Sequence, residues 1–190
     1  MGLIRDVFNC KPYLMRKLLK YLIGISLLAV ASFLVLHTYQ SYKTKKESVV
    51  KIQTVQHYCF ESVSGGQVCI DGFNPDHPTI IIYFHPECEH CQYEASEIGK
   101  QPERFGKVNM IMVTPDDSIK RVDGFAMKYR LWEVDNLTIL LDRKNQFENQ
   151  FGTSIIPSVF IYGSDKKLLK IYKGEVQMKA ILQIIEGNER

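Results

Sequence analysis

Two cysteines three residues apart, Cys88 and Cys91, stand in the segment His85-Pro86-Glu87-Cys88-Glu89-His90-Cys91. A thiolate can attack a disulfide sulfur, and a second nearby thiol can resolve the mixed disulfide, so the spacing suits reversible thiol–disulfide exchange. Metal chemistry is the competing use. A structural zinc site gathers Cys/His pairs from two separate turns; His85 and His90 are near, but no second pair follows downstream. Soft thiolates with an imidazole also suit Cu(I), which makes a copper carrier using Cys88, Cys91 and a nearby histidine the better metal alternative. Haem attachment requires histidine directly after the second cysteine, where Gln92 stands.

The elements around the motif favour the redox use. Thr79-Ile80-Ile81-Ile82-Tyr83-Phe84 is apolar without alternation, the pattern of a strand buried on both faces. A helix is expected from Cys88 to about Gly99. In its first turn, unpaired backbone N–H groups and the positive end of the dipole favour a negative sulfur at Cys88, with Cys91 one turn on along the same side. Further strands are read at 58–63, 67–70, 108–114, 137–141, 155–162 and 168–172, and helices at about 118–129, 146–151 and 175–186. Strands alternating with helices, closed by a hairpin and a helix, describe an α/β sheet of mixed direction.

The charge is unevenly placed. The chain of 190 residues has a formal net charge of +3, but the first 51 residues alone carry +7 and the remainder −4. No Lys/Arg stripe with interleaved aromatics occurs in the acidic part, which excludes a nucleic-acid partner. Tyr21 to Tyr42 contains no Asp, Glu, Lys or Arg. It is long enough to cross about 30 Å of hydrocarbon as a helix, and it lacks the small-residue cleavage site of a signal peptide. The expected organisation is a cytoplasmic N-terminus over residues 1–20, a transmembrane anchor over 21–42, a juxtamembrane tether over 43–57 and a folded domain over 58–190. Positive-inside counting gives a slight preference for a cytoplasmic N-terminus.

Strand, Cys-x-x-Cys at a helix start, and Ile156-Pro157-Ser158 opening a later strand resemble the thioredoxin fold, a three-layer sandwich of a mixed sheet between helices. The upstream hairpin and the anchor resemble its TlpA/ResA-like branch of extracytoplasmic thiol–disulfide oxidoreductases. The resemblance, over roughly residues 58–187, implies that Cys88 attacks and Cys91 resolves. It makes Pro157 a cis-proline facing the pair, with the Ile156 backbone available to an extended substrate. It further implies proton transfer by Glu94, for which a solvated helix glutamate is the other reading. No bound cofactor or metal is required; protein disulfides or dithiols are the substrates, a transmembrane redox protein is the partner, and the domain lies outside the cytoplasmic membrane. Departures occur beside the pair. Glu87 replaces the frequent Trp, Glu89-His90 replaces a Pro-containing dipeptide, and Ile82 stands where a buried Asp is common. As redox-tuning groups, His90 would stabilise a Cys88 thiolate and Glu89 oppose it.

Cys59 and Cys69 flank the Gly65-Gly66 turn. A loop centred on Ser64 would set them opposite one another, able to form a cross-strand disulfide; a two-residue Gly-Gly turn would instead pair Ser62 with Cys69 and leave Cys59 alone, and two small half-buried residues are the plainer reading. Cys10, before the anchor, is expected reduced. His57 is read as solvated, Trp132 as a packing residue, and Asp116-Asp117 as capping the helix that begins near Ser118.

Overall fold

The computed structural model describes residues 5–188, with side chains described for 18–43 and 51–188. Cys10 and most of the expected cytoplasmic segment therefore lie outside the described side chains. The chain divides into two compact units, residues 1–46 and 47–190.

The first unit is the body of helix α1, Arg5–Lys51. Within it, Leu18–Lys43 is long and apolar enough to cross a membrane, with mean hydropathy 2.2 and none of its side chains buried. A fully exposed apolar surface of this length would be costly in water and is what a bilayer accommodates.

The second unit is built on a seven-stranded sheet. Its strands are β1 (Cys59–Ser62), β2 (Gln67–Cys69), β3 (Thr79–Tyr83), β4 (Asn109–Thr114), β5 (Leu137–Leu141), β6 (Ser158–Tyr162) and β7 (Leu168–Lys173). They lie in the order β2-β1-β5-β4-β3-β6-β7. β3, β4 and β5 run parallel, and the outer pairings are antiparallel. Every residue of β3 and β4 is buried, because both faces of the sheet are covered. On one face Ile80, Ile82, Met110 and Met112 pack with residues of α2 (Glu89–Lys100), α3 (Ile119–Lys128) and α5 (Met178–Asn188). On the other, Ile81, Tyr83, Ile111 and Val113 pack with Phe147 and Phe151 of α4 (Phe147–Phe151), with Phe60 and with Ile52. Each large aliphatic or aromatic side chain so buried contributes about 1.5–3 kcal/mol. This is the three-layer, thioredoxin-like α/β architecture expected from the sequence.

Three readings change. Residues 43–51 continue α1, and residues 52–55 of the expected tether join the domain. Ile52 is buried, Thr54 bridges Lys167, and the Val55 N–H donates to the Lys166 carbonyl at 3.0 Å. Polarity hid this because Ile52 and Val55 are separate apolar residues in a polar run. Trp132 is half-exposed and donates its indole N–H to Asp123. Ser118, rather than Asp116, caps α3 by accepting the Arg121 N–H.

The hairpin resolves in favour of the loop centred on Ser64: Cys59 pairs with Cys69 and Glu61 with Gln67. Positive φ angles of 93° and 81° at Gly65 and Gly66 let the chain reverse there. The Ser62 N–H donates to the Gly66 carbonyl and the Ile70 N–H to the Tyr58 carbonyl, so Cys59 and Cys69 occupy a non-hydrogen-bonded pair, where side chains approach most closely. The two sulfurs form a disulfide.

Candidate functional site

The parallel strands β3, β4 and β5 end on the same side of the sheet, and the Cys88–Cys91 segment leaves from the end of β3. The Cys88 N–H donates to the His85 carbonyl at 3.0 Å, and the Gln92 amide holds the Pro86 carbonyl at 2.9 Å. This short turn sets Cys88 as the N-cap of α2, half-buried, while Cys91, two residues into the helix, is only 1% exposed. Both thiols are free. Burial and the neighbouring Cys88 push the Cys91 thiol well above its ordinary range. One sulfur is thus reachable and the other sheltered.

Glu94 lies one turn beyond Cys91 on the same buried face of α2, with Cys91, Ala95 and Ile98. It is 1% exposed, so the solvated-glutamate reading does not describe it. Oε1 accepts the Val176 N–H at 2.9 Å, and Oε2 has no hydrogen-bond partner. Burial is the main reason its carboxyl rises from 4.5 to about 7, with the Val176 N–H and His90 opposing the shift and Glu175 adding to it. A buried carboxyl of this kind beside a buried thiol can hold or release a proton near neutral pH. The contact also places the α5 entry: Val176, expected in the helix, lies before its start at Met178 and gives its N–H to Glu94.

His90 is exposed at the start of α2, and its Nδ1 lies 2.5 Å from Glu175 Oε2. Glu87 pairs with Arg121 at 3.1 Å, and Arg121 reaches the buried Asp116 through Nε at 2.5 Å. Burial alone would raise the Asp116 carboxyl, but hydrogen bonds from Arg121 and the Ser118 N–H hold it below its ordinary range. His85 accepts the Glu87 N–H at Nδ1 and sets Nε2 3.8 Å from Asp116. Glu89 is exposed. Glu175, Asp116 and Arg121 escaped the sequence reading as members of this site, because each meets the motif from a distant part of the chain.

The Ile156–Pro157 peptide bond is cis. Ser158 pairs with Tyr83 at the end of β3, which puts Pro157 beside the point where the chain turns toward Cys88. Pro157 is buried and Ile156 half-buried. Ile156 and Cys88 both pack against the helix-side core.

For metal, Cys88, Cys91 and His90 do not converge as a three-ligand group among the described residues. The convergence found there is His57, Cys59 and Cys69, two of which are joined in the disulfide.

Residues 53–171 match the model of the AhpC/TSA family. The chain belongs to the AhpC/TSA family. No curated protein sequence matches it. Solved structures of similar fold include a secreted Mycobacterium tuberculosis disulfide oxidoreductase homologous to Escherichia coli DsbE, at 15% identity and TM-score 0.60, covering 72% of this chain and 97% of that one. StoA from Bacillus subtilis is 16% identical, with TM-score 0.55 over 70% of this chain and 98% of its own. The peroxidoxin BcpB of Mycobacterium tuberculosis is 17% identical, with TM-score 0.59 and coverages of 70% and 94%. At these identities the likeness of this AhpC/TSA-family chain to them is one of fold.

Proposed function

We propose that this chain is a membrane-anchored thiol–disulfide oxidoreductase that exchanges disulfides with extracytoplasmic proteins through Cys88 and Cys91. The observation that carries the reading is the asymmetry of the pair: a half-exposed sulfur at the helix N-cap, and a buried one next to a buried carboxyl with a free oxygen. In the reducing direction, the Cys88 thiolate attacks one sulfur of a substrate disulfide. A Cys88–substrate disulfide forms, and the first substrate thiolate leaves and takes a proton. Cys91 then gives its proton to the Glu94 carboxylate and attacks Cys88 Sγ. The second substrate thiol is released, and two electrons have passed from the pair to the substrate. The opposite direction runs through the same steps reversed.

Pro157 and the Ile156 backbone are the assigned platform for an extended substrate segment, and His90 and Glu89 the groups that tune the reactive sulfur. Leu18–Lys43 would anchor the chain in the cytoplasmic membrane with its N-terminus inside. The Cys59–Cys69 disulfide supports an oxidising compartment for the domain, and a transmembrane redox protein is the assigned electron partner.

The test is trapping. In cells, Cys91→Ser should accumulate mixed disulfides on Cys88, and Cys88→Ser should accumulate none. Absence of any Cys88 adduct in the first variant, or failure of the purified chain to form a reversible Cys88–Cys91 disulfide, would overturn the reading.

A further inference from the structure

The hairpin disulfide has surroundings that a plain cross-link does not require. His57 Nδ1 lies 2.9 Å from Asp71 Oδ2, and the opposite nitrogen, Nε2, lies 3.5 Å from Cys59 Sγ. With Nδ1–H donated to the carboxylate, the Nε2 lone pair faces the sulfur. The ring nitrogen and both sulfurs lie within 4.8 Å of one another. A nucleophile beside a base that a third group orients is the arrangement that activates a thiol. Cys59 also borders an open groove of about 320 Å³ together with Glu61, Gln67, Arg143 and Gln146. Because β1 runs antiparallel to β5, with Glu61 opposite Leu141, Cys59 lies at the same end of the sheet as Cys88. Three strand spacings, about 14 Å, separate β1 from β3.

We propose that Cys59 and Cys69 form a second exchanging dithiol–disulfide couple, with Cys59 attacking, Cys69 resolving, His57 as base and Asp71 positioning the imidazole. Its substrate class is a disulfide carried on a polypeptide segment that enters the groove. Starting from the dithiol, His57 Nε2 takes the Cys59 proton and Cys59 attacks the substrate disulfide. A Cys59–substrate bond forms, the substrate S–S bond breaks, and the departing thiolate receives the proton from His57. Cys69 then attacks Cys59 Sγ, and its proton leaves with the second substrate thiol. The product is the Cys59–Cys69 disulfide seen here. A protein dithiol running the same steps in reverse resets it, taking two electrons from that dithiol. The couple is separate from Cys88–Cys91, so either assignment can fail without the other.

The experiment uses the full-length chain in detergent micelles, with Cys88→Ser and Cys91→Ser in place, and oxidised glutathione as the probe. After reduction and removal of reductant, adding Cys69→Ser should give a glutathione adduct on Cys59, located by peptide mass spectrometry. His57→Ala should slow that adduct by roughly tenfold or more, with Asp71→Asn slowing it less. Because Cys69→Ser could weaken the hairpin, a second measurement keeps both cysteines and follows the rate at which oxidised glutathione closes the Cys59–Cys69 bond; His57→Ala should slow this too. Three results would overturn the proposal: a disulfide that opens only when the domain unfolds, an adduct rate unchanged by His57→Ala, or equal reactivity of Cys69 in Cys59→Ser.

Discussion

Glu94→Gln isolates the proton that the buried carboxyl holds. The folded chain binds that proton up to about pH 7, whereas the ordinary value is 4.5. Between those two values the folded state keeps a proton that the unfolded state has lost, so stability falls as pH rises across the window. At 1.36 kcal/mol per tenfold change in proton affinity, the loss between pH 5 and 8.5 amounts to about 2.5 kcal/mol. The amide keeps an oxygen for the Val176 N–H and cannot ionise, so this component is absent from the variant. Whatever constant offset the unpaired NH₂ introduces, the variant should gain on the wild type by about 2.5 kcal/mol from pH 5 to pH 8.5. The assay is urea unfolding of the reduced, micelle-held chain at intermediate pH values, read by the fluorescence of its single Trp, Trp132. Glu94→Gln should also accumulate the Cys88–substrate mixed disulfide, because Cys91 loses its proton acceptor. A stability difference that changes by less than 1 kcal/mol over this pH range would refute the assignment of a proton held by Glu94 near neutrality.

Three further outcomes follow from neighbouring contacts. Asp116→Asn should destabilise the domain at neutral pH and lose its effect in acid, since a carboxyl held below its ordinary value contributes stability above the unfolded value that vanishes as pH falls through the folded one; unfolding at pH 7 and pH 3 checks the sign. Gly99→Ala would set a methyl 1.8 Å from the Tyr129 carbonyl oxygen, and because backbone must move, a loss of about 3 kcal/mol is expected in the same urea assay, with α2 displaced and the thiol pair slowed. Replacing Cys59 and Cys69 together by Ser removes a cross-link spanning 10 residues, for which loop entropy gives a loss of about 2.7 kcal/mol, measured on the oxidised chain.

Much of the fold was legible because its signals are local. Five contiguous apolar residues identified β3, proline marked the start of β6, and helix geometry put Cys91 one turn from Cys88 on the same side. The motif was legible for the same reason, as its two sulfurs are three residues apart. What the sequence concealed was sequence-distant pairing. His90 meets Glu175 across 85 residues and Glu87 meets Arg121 across 34, and no spacing rule encodes either. Glu94 was open to two readings, a proton-transfer group and a solvated helix glutamate, because Val176, whose N–H it accepts, arrives from the other end of the domain. His57 was assigned to a tether on polarity alone; only the hairpin register brings Asp71 and Cys59 to it.

These partners also revise the electrostatics around Cys88. Taken as isolated charges, Glu87 and Glu89 oppose a negative sulfur and His90 favours one, leaving the sign of their sum open. In the folded domain Glu87 is paired with Arg121, which also meets the buried Asp116, and His90 is paired with Glu175. Neighbouring opposite charges cancel much of each other's field at a third point, more so at exposed positions where water screens what is left. Two of the flanking side chains therefore also act as clamps: the Glu87–Arg121 ion pair ties the Cys88 turn to α3, and the His90–Glu175 contact ties the first turn of α2 to the entry of α5. The groups near the pair that burial keeps from being screened are the sheltered Cys91 thiol and the Glu94 carboxyl, with one oxygen committed to Val176 and the other without a hydrogen-bond partner.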